Sequence, residues 1–243
     1  MKKLLTVLLV TMMAFCLCGC ENISKEDVEK VVEKTGEVLE KAEEAVGEWM
    51  IDKNIQTAGL ADDVKAIFDK GVEGFTGQSF EPIVLIGKQV VSGMNYMFLA
   101  KGTTTTAEPK TALKIVTIYN DLKNNASVKS VADFNILDFL TDNTLNVDQL
   151  AGGWNIDLDA KEIDAEPLKK ATEGLTGVSY KPIALLGSQE VAGKNYCYLT
   201  IKTVAAANPI SVLAIVDVFE DTKKNCEILS VCDLDLKNFV ATN

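Results

Sequence analysis

A chain of 243 residues with a formal net charge of −11, and with neither His nor Arg anywhere in it, closes off much chemistry before any motif is sought. Hydrolase triads built on His, HExxH metal sites and arginine phosphate clamps are out of reach, and no GxxxxGK[ST] or GxGxxG occurs. The acidic balance argues against a nucleic-acid partner, and the remaining expectation is a protein without enzymatic activity, cofactor or metal.

Lys2 and Lys3 precede an almost wholly apolar run from Leu4 to Leu17, closed by Leu17-Cys18-Gly19-Cys20. This is the pattern of an export signal over 1–19, and the run is shorter than the ~20 residues a helix needs to cross a bilayer. The closing tetrad resembles a lipobox. That resemblance implies cleavage after Gly19, with Cys16 and Cys18 lost, and lipid on Cys20. The mature chain would then be a bacterial-type lipoprotein of the cell envelope, anchored to the outer face of a membrane. From Glu26 to Trp49, Val28, Val31, Val32, Val38, Leu39, Ala42, Ala45 and Val46 recur at helical spacing between Glu and Lys. The tether over 20–48 is therefore expected to hold an amphipathic helix. A spacer is the plain reading; a coiled coil is the sharper one, against which Gly36 and the short length stand.

Displaced on itself by 100 positions, the sequence aligns Glu73-Gly74-Phe75-Thr76-Gly77 with Glu173-Gly174-Leu175-Thr176-Gly177 and stays in register to Ile136 over Leu236. Pro82, Gly87, Gln89, Val91, Gly93, Asn95 and Tyr96 recur as Pro182, Gly187, Gln189, Val191, Gly193, Asn195 and Tyr196. The period is too long for a solenoid, so two tandem domains are expected, over 49–140 and 154–243, each around its own core. The Asn-, Asp- and Gly-rich stretch 141–153 joins them.

Within each copy one helix precedes four extended segments. Val64, Ile67, Phe68, Val72 and Phe75 form a helical face after Asp62-Asp63; Leu168, Ala171 and Leu175 do so after Asp164, with Pro167 in the first turn. Gly77 and Gly177 are expected to end these helices. Strands are predicted over Phe80–Gln89, Met94–Thr103, Ala112–Asp121 and Ser127–Ile136, from their β-branched and aromatic content and the turn residues between them. The fold class expected is α+β: in each copy, an antiparallel sheet of four or five strands packed on one helix.

The first hairpin tip reads Gln89-Val90-Val91-Ser92-Gly93, followed by Met94-Asn95-Tyr96; its counterpart is Gln189-Glu190-Val191-Ala192-Gly193, followed by Lys194-Asn195-Tyr196. This resembles the cystatins, in which a Gln-x-Val-x-Gly loop follows the helix and joins the first two long strands. The resemblance covers nearly the whole of each copy as an element order and is concentrated at residue level around the loop. It implies a wedge that blocks papain-like cysteine proteases by steric occlusion, made of the loop, an N-terminal segment ending in glycine and a second hairpin. Gly152 and Gly153 before Trp154, and Gly47 near Trp49, are the matches to the N-terminal element. The Pro-Trp of the second cystatin hairpin is missing, its place taken by Asp121-Leu122-Lys123-Asn124-Asn125 and Asp221-Thr222-Lys223-Lys224-Asn225. The acidic Glu190 would have to lose its water in a cleft. Read without the resemblance, the same glycines, Gln and Asn are what a hairpin needs to turn, with Val91 and Tyr96 packing the sheet. The chain would then be a non-inhibitory envelope lipoprotein using its domains as protein-binding or adhesion modules.

Cys197, Cys226 and Cys232 replace Met97, Ala126 and Ala132 of the first copy, which suits buried thiols, with no disulfide and no metal expected. Trp49 and Trp154 are expected to anchor the entering chain on the core. Asp157-Leu158-Asp159 and Asp233-Leu234-Asp235 suit the solvated side of a strand. A carboxylate-only enzyme would need a pair such as Asp133 and Asp138, which nothing in the spacing supports.

Overall fold

The computed structural model describes residues 47–51, 55, 60–140, 153–157 and 163–240. The leader, Cys20, the amphipathic segment before Gly47, Gly152 and nearly all of the linker lie outside the described residues. From Trp49 onward the chain is one compact unit.

In the first copy, β1 (Trp49–Met50) leads to α1 (Asp62–Val72), β2 (Gln78–Val91), β3 (Gly93–Thr104), β4 (Thr111–Asn120) and β5 (Ala126–Asp133), with a 3-10 turn over Ile136–Phe139. The second copy repeats this as β6 (Asn155–Ile156), α2 (Glu166–Ala171), β7 (Val178–Val191), β8 (Gly193–Val204), β9 (Ile210–Asp221), β10 (Cys226–Leu234) and a 3-10 turn over Leu236–Phe239. Each copy forms a five-stranded antiparallel sheet in chain order, β1 to β5 and β6 to β10. The α+β class and the two antiparallel sheets are as the sequence predicts.

Three local expectations need correction. Asp62 and Asp63 do open α1, against the positive end of its dipole, but the helix stops at Val72, ahead of Gly74. Phe75 therefore leaves the helical face, and its exposed ring packs on Phe80 with centroids 5.2 Å apart. Leu175 is likewise exposed beyond α2. Gly77 and Gly177 stand at the entrances of β2 and β7 and do not close the helices. The last strand of each copy ends before Ile136 and Leu236, because Asn135 and Asp235 turn the chain: their side chains accept hydrogen bonds from the Leu137 and Lys237 amides at 3.2 and 2.9 Å.

The largest correction concerns the core. The outer face of each sheet is covered by its own helix, through Val64 and Phe68 against Leu85, Phe98, Val116 and Ile118 in one copy and through Leu168 against Tyr198, Val216 and Val218 in the other. The inner faces do not stand alone. Val84, Ile86, Met97, Leu99 and Ile115 share a single buried cluster with Ala184, Leu186, Cys197, Leu199 and Ile215. The two copies lock together reciprocally. A Cβ on Gly87 would lie 2.5 Å from Leu236 Cδ1, and one on Gly187 would lie 3.3 Å from Ile136 Cδ1, so each copy's glycine receives the other copy's 3-10 turn. The rings of Phe134 and Phe239 meet across the same seam, tilted by 41° with centroids 5.9 Å apart, and Lys181 donates to the Ile55 carbonyl at 2.8 Å. Trp49 and Trp154 pack on this shared cluster, as anchors of the entering chain.

Candidate functional site at the hairpin rim

The antiparallel order brings three elements of each copy to one edge of its sheet. β2 runs up to the edge and β3 runs back from it, with Gln89 opposite Asn95, Val90 opposite Met94 and Val91 opposite Gly93; Ser92 is the exposed apex. The entering strand β1 lies alongside, because Trp49 pairs with Gln89. β4 returns to the same edge, so close that a Cβ on Gly93 would meet the Asn120 carbonyl at 2.5 Å. Gly93 is thus required twice, by that approach and by its φ of +127°. The hairpin from Asp121 to Asn125 completes the rim.

That second hairpin is organised by its aspartate. The Asp121 carboxylate accepts from the Lys123 and Asn125 amides, both at 2.8 Å, and from Asn125 Nδ2 at 2.9 Å, while Asn124 takes a left-handed conformation. The Asn125 side-chain bond, with the backbone amides, holds the carboxyl below its usual range. Asp221 is built the same way with Lys223 and Asn225. At the apex of this loop Leu122 is 85% exposed.

The rim of the second copy has the same backbone and different chemistry. Val191 is exposed, Ala192 is exposed and Gly193 is half-buried. Gly153 precedes Trp154, and β6 pairs Asn155 with Ser188, one residue further from the tip than in the first copy. Glu190 extends into solvent and pairs with Lys194 at 3.2 Å, and Lys194 in turn lies over the Tyr196 ring. The first tip carries Val90 and Val91, both half-buried, and no charge.

The recurring glutamines point inward to the frame. Asn95 Nδ2 donates to Gln89 Oε1 at 2.5 Å, and Asn195 Nδ2 to Gln189 Oε1 at 2.9 Å. Asn95 and Gln189 are both buried. Gln and Asn therefore recur together in the repeat because they bond across the strand pair. Sequence reading missed one residue at the rim: the Tyr119 hydroxyl donates to the Ser92 carbonyl at 2.5 Å. Its repeat position holds Phe219, a difference visible in the alignment of the two copies.

No family model matches this chain, and no curated protein matches it.

Other candidates do not converge. Cys197 is buried, Cys226 and Cys232 are half-buried, and all three are free thiols. Burial pushes the Cys197 thiol up, with Asp217 adding to the effect. Asp217, across the strand pair from Cys197, faces the shared core; burial pushes its carboxyl up to about 6, and its Oδ1 has no hydrogen-bond partner. Asp133 pairs with Lys114, and Asp138 accepts from Asn135 Nδ2 at 3.4 Å. Asp233 pairs with Lys202, whereas Asp235 has left the strand to cap the 3-10 turn, so the two carboxylates do not share a strand face. Among the described residues no group of three or more His, Cys, Asp or Glu side chains is placed to hold a metal ion.

Proposed function

We propose that each copy is a cystatin-like module and that the chain is a surface-tethered inhibitor of papain-like cysteine proteases. It would be anchored through lipid on Cys20 at the outer face of a membrane in the cell envelope. The first copy supplies the principal wedge, Gln89 to Gly93, with the Asp121–Asn125 hairpin beside it and Gly47 as the glycine of its N-terminal segment; the second supplies Gln189 to Gly193 with Gly152 and Gly153. The observation that carries this reading is the convergence of entering chain, first hairpin and second hairpin on one rim, with an uncharged apolar tip at its centre. A narrow, sheet-borne edge of this kind enters a cleft with little conformational entropy to lose. Val90, Val91 and Leu122 offer the apolar surface that docking would bury.

The second copy favours the other reading, a protein-binding or adhesion module, because its tip carries Glu190 already paired with Lys194. Burying that pair in a cleft costs solvation that the first tip does not spend. Titration of papain with the chain from Glu21 to Asn243, beside Val91→Asp and Val191→Asp, separates the readings. Tight reversible inhibition lost in Val91→Asp assigns the first tip as the wedge. Absence of inhibition at tens of micromolar, a binding free energy weaker than about −6 to −7 kcal/mol, would refute the inhibitor reading and leave the module reading.

A further inference from the structure

The bond from the Tyr119 hydroxyl to the Ser92 carbonyl ties the end of β4 to the apex of the first hairpin. The ring lies over Gly93, where a Cβ would come within 3.0 Å of Tyr119 Cε2. Phe219 places its ring over Gly193 in the same way, 2.8 Å from the corresponding position, but has no hydroxyl to reach the second apex. The two hairpins otherwise pair residue for residue, from Gln89 opposite Asn95 to Val91 opposite Gly93, and from Gln189 opposite Asn195 to Val191 opposite Gly193. The second copy is thus the natural comparison for the hydroxyl, its tip carrying in addition the Glu190–Lys194 pair and a ladder to β9 that begins at Gly193 opposite Asp221. It shows that the hairpin forms without the hydroxyl.

Ser92 is exposed, so water would satisfy its carbonyl if Tyr119 did not. What the bond adds is orientation. An apex that binds by shape must give up on docking whatever freedom it keeps when unbound, and an apex already pinned gives up less. We propose that Tyr119 is a positioning residue of the rim: its hydroxyl holds the Ser92 carbonyl and with it the Val90-Val91-Ser92 tip in the presented conformation, while the second tip stays freer. The difference in affinity between the two rims follows from this and rests on the wedge reading above; the pinning itself does not.

The chain from Glu21 to Asn243 is compared as wild type, Tyr119→Phe and Phe219→Tyr, by backbone amide order parameters and by papain inhibition. Tyr119→Phe is expected to lower the order parameters of Ser92 and Gly93 toward those of Ala192 and Gly193 and to leave the urea midpoint in place. Phe219→Tyr should raise those of Ala192 and Gly193. In the papain assay Tyr119→Phe should speed dissociation about three- to tenfold, the worth of one hydrogen bond, with the association rate unchanged. Unchanged order at Ser92 and Gly93 in Tyr119→Phe would overturn the pinning. Altered order with an unchanged dissociation rate would overturn its role in affinity. If wild type does not bind papain, the wedge reading fails and the affinity difference with it, and the order parameters alone still decide the pinning.

Discussion

Position for position, the two long hairpins carry the same irregularities, with register shifts after Pro82 and Leu85 in one and after Pro182 and Leu185 in the other. Their Asp-centred loops, their Gln–Asn pairs and the close approaches at Gly93 and Gly193 also coincide. Among the positions that differ are Val90 against Glu190, Leu122 against Thr222, Tyr119 against Phe219 and Thr117 against Asp217. The residues that recur hold the backbone, and those that diverge decide what each rim and the seam between the copies can do. Repetition within one chain is therefore weak evidence for a binding role: Gln89 recurs because Asn95 needs it.

The comparison breaks most sharply at the seam. Leu236→Ala and Ile136→Ala each remove a side chain that one copy inserts into the other, and each should cost about 3 kcal/mol of stability. Because the inner core is shared, urea should unfold both copies in a single transition in either variant; two separated transitions would show the copies to be independent. Gly187→Ala should cost about 2 kcal/mol, since its Cβ would lie 2.8 Å from the Asn155 backbone oxygen, which cannot move alone. Gly87→Ala should cost less, as the atom it meets is the far end of the Leu236 side chain. Equal costs, read from urea midpoints, would contradict that reasoning.

Asp217 sharpens the comparison through pH. Its folded value of about 6 lies above the ordinary 3.8, so the folded state holds this proton more firmly than the unfolded chain. The contribution to stability is complete below the unfolded value and is lost as pH rises from there through about 6. Asp217→Asn should therefore gain roughly 2 kcal/mol at pH 8 and nothing at pH 3.5. Chemical denaturation at the two pH values checks this, and a pH-independent difference would rule it out. The smallest effect on stability belongs to Glu190→Val, which removes only an exposed ion pair and should move the urea midpoint by less than about 0.5 kcal/mol. On the wedge reading the same change should strengthen papain inhibition by the second rim, measured in the Val91→Asp background.

How much of this was legible follows from the same residues. The hairpins were plain because Gly, Asn and Asp clusters separate runs of β-branched residues, and the register through Gly93 could be read from the motif alone. The helix ends were not, because apolar spacing carries on through Phe75 while Gly74 turns the chain away. The shared core does leave a signal in the sequence. Ile83-Val84-Leu85-Ile86 and Met97-Phe98-Leu99-Ala100 are unbroken apolar runs, which imply two buried faces where a sheet on a single helix needs one. The bond from Tyr119 to Ser92 joins positions 27 residues apart and leaves no periodic trace.

The reciprocal seam has a consequence for resistance to proteolysis. A digestive enzyme needs a stretch of several residues pulled free of its neighbours before it can cut, so its rate follows the population of opened states. Neither sheet can lift off its inner face without stripping the other of cover, so partial opening there is as costly as losing both copies together. Two small folds joined this way resist degradation as one larger body, while their rims remain outside it.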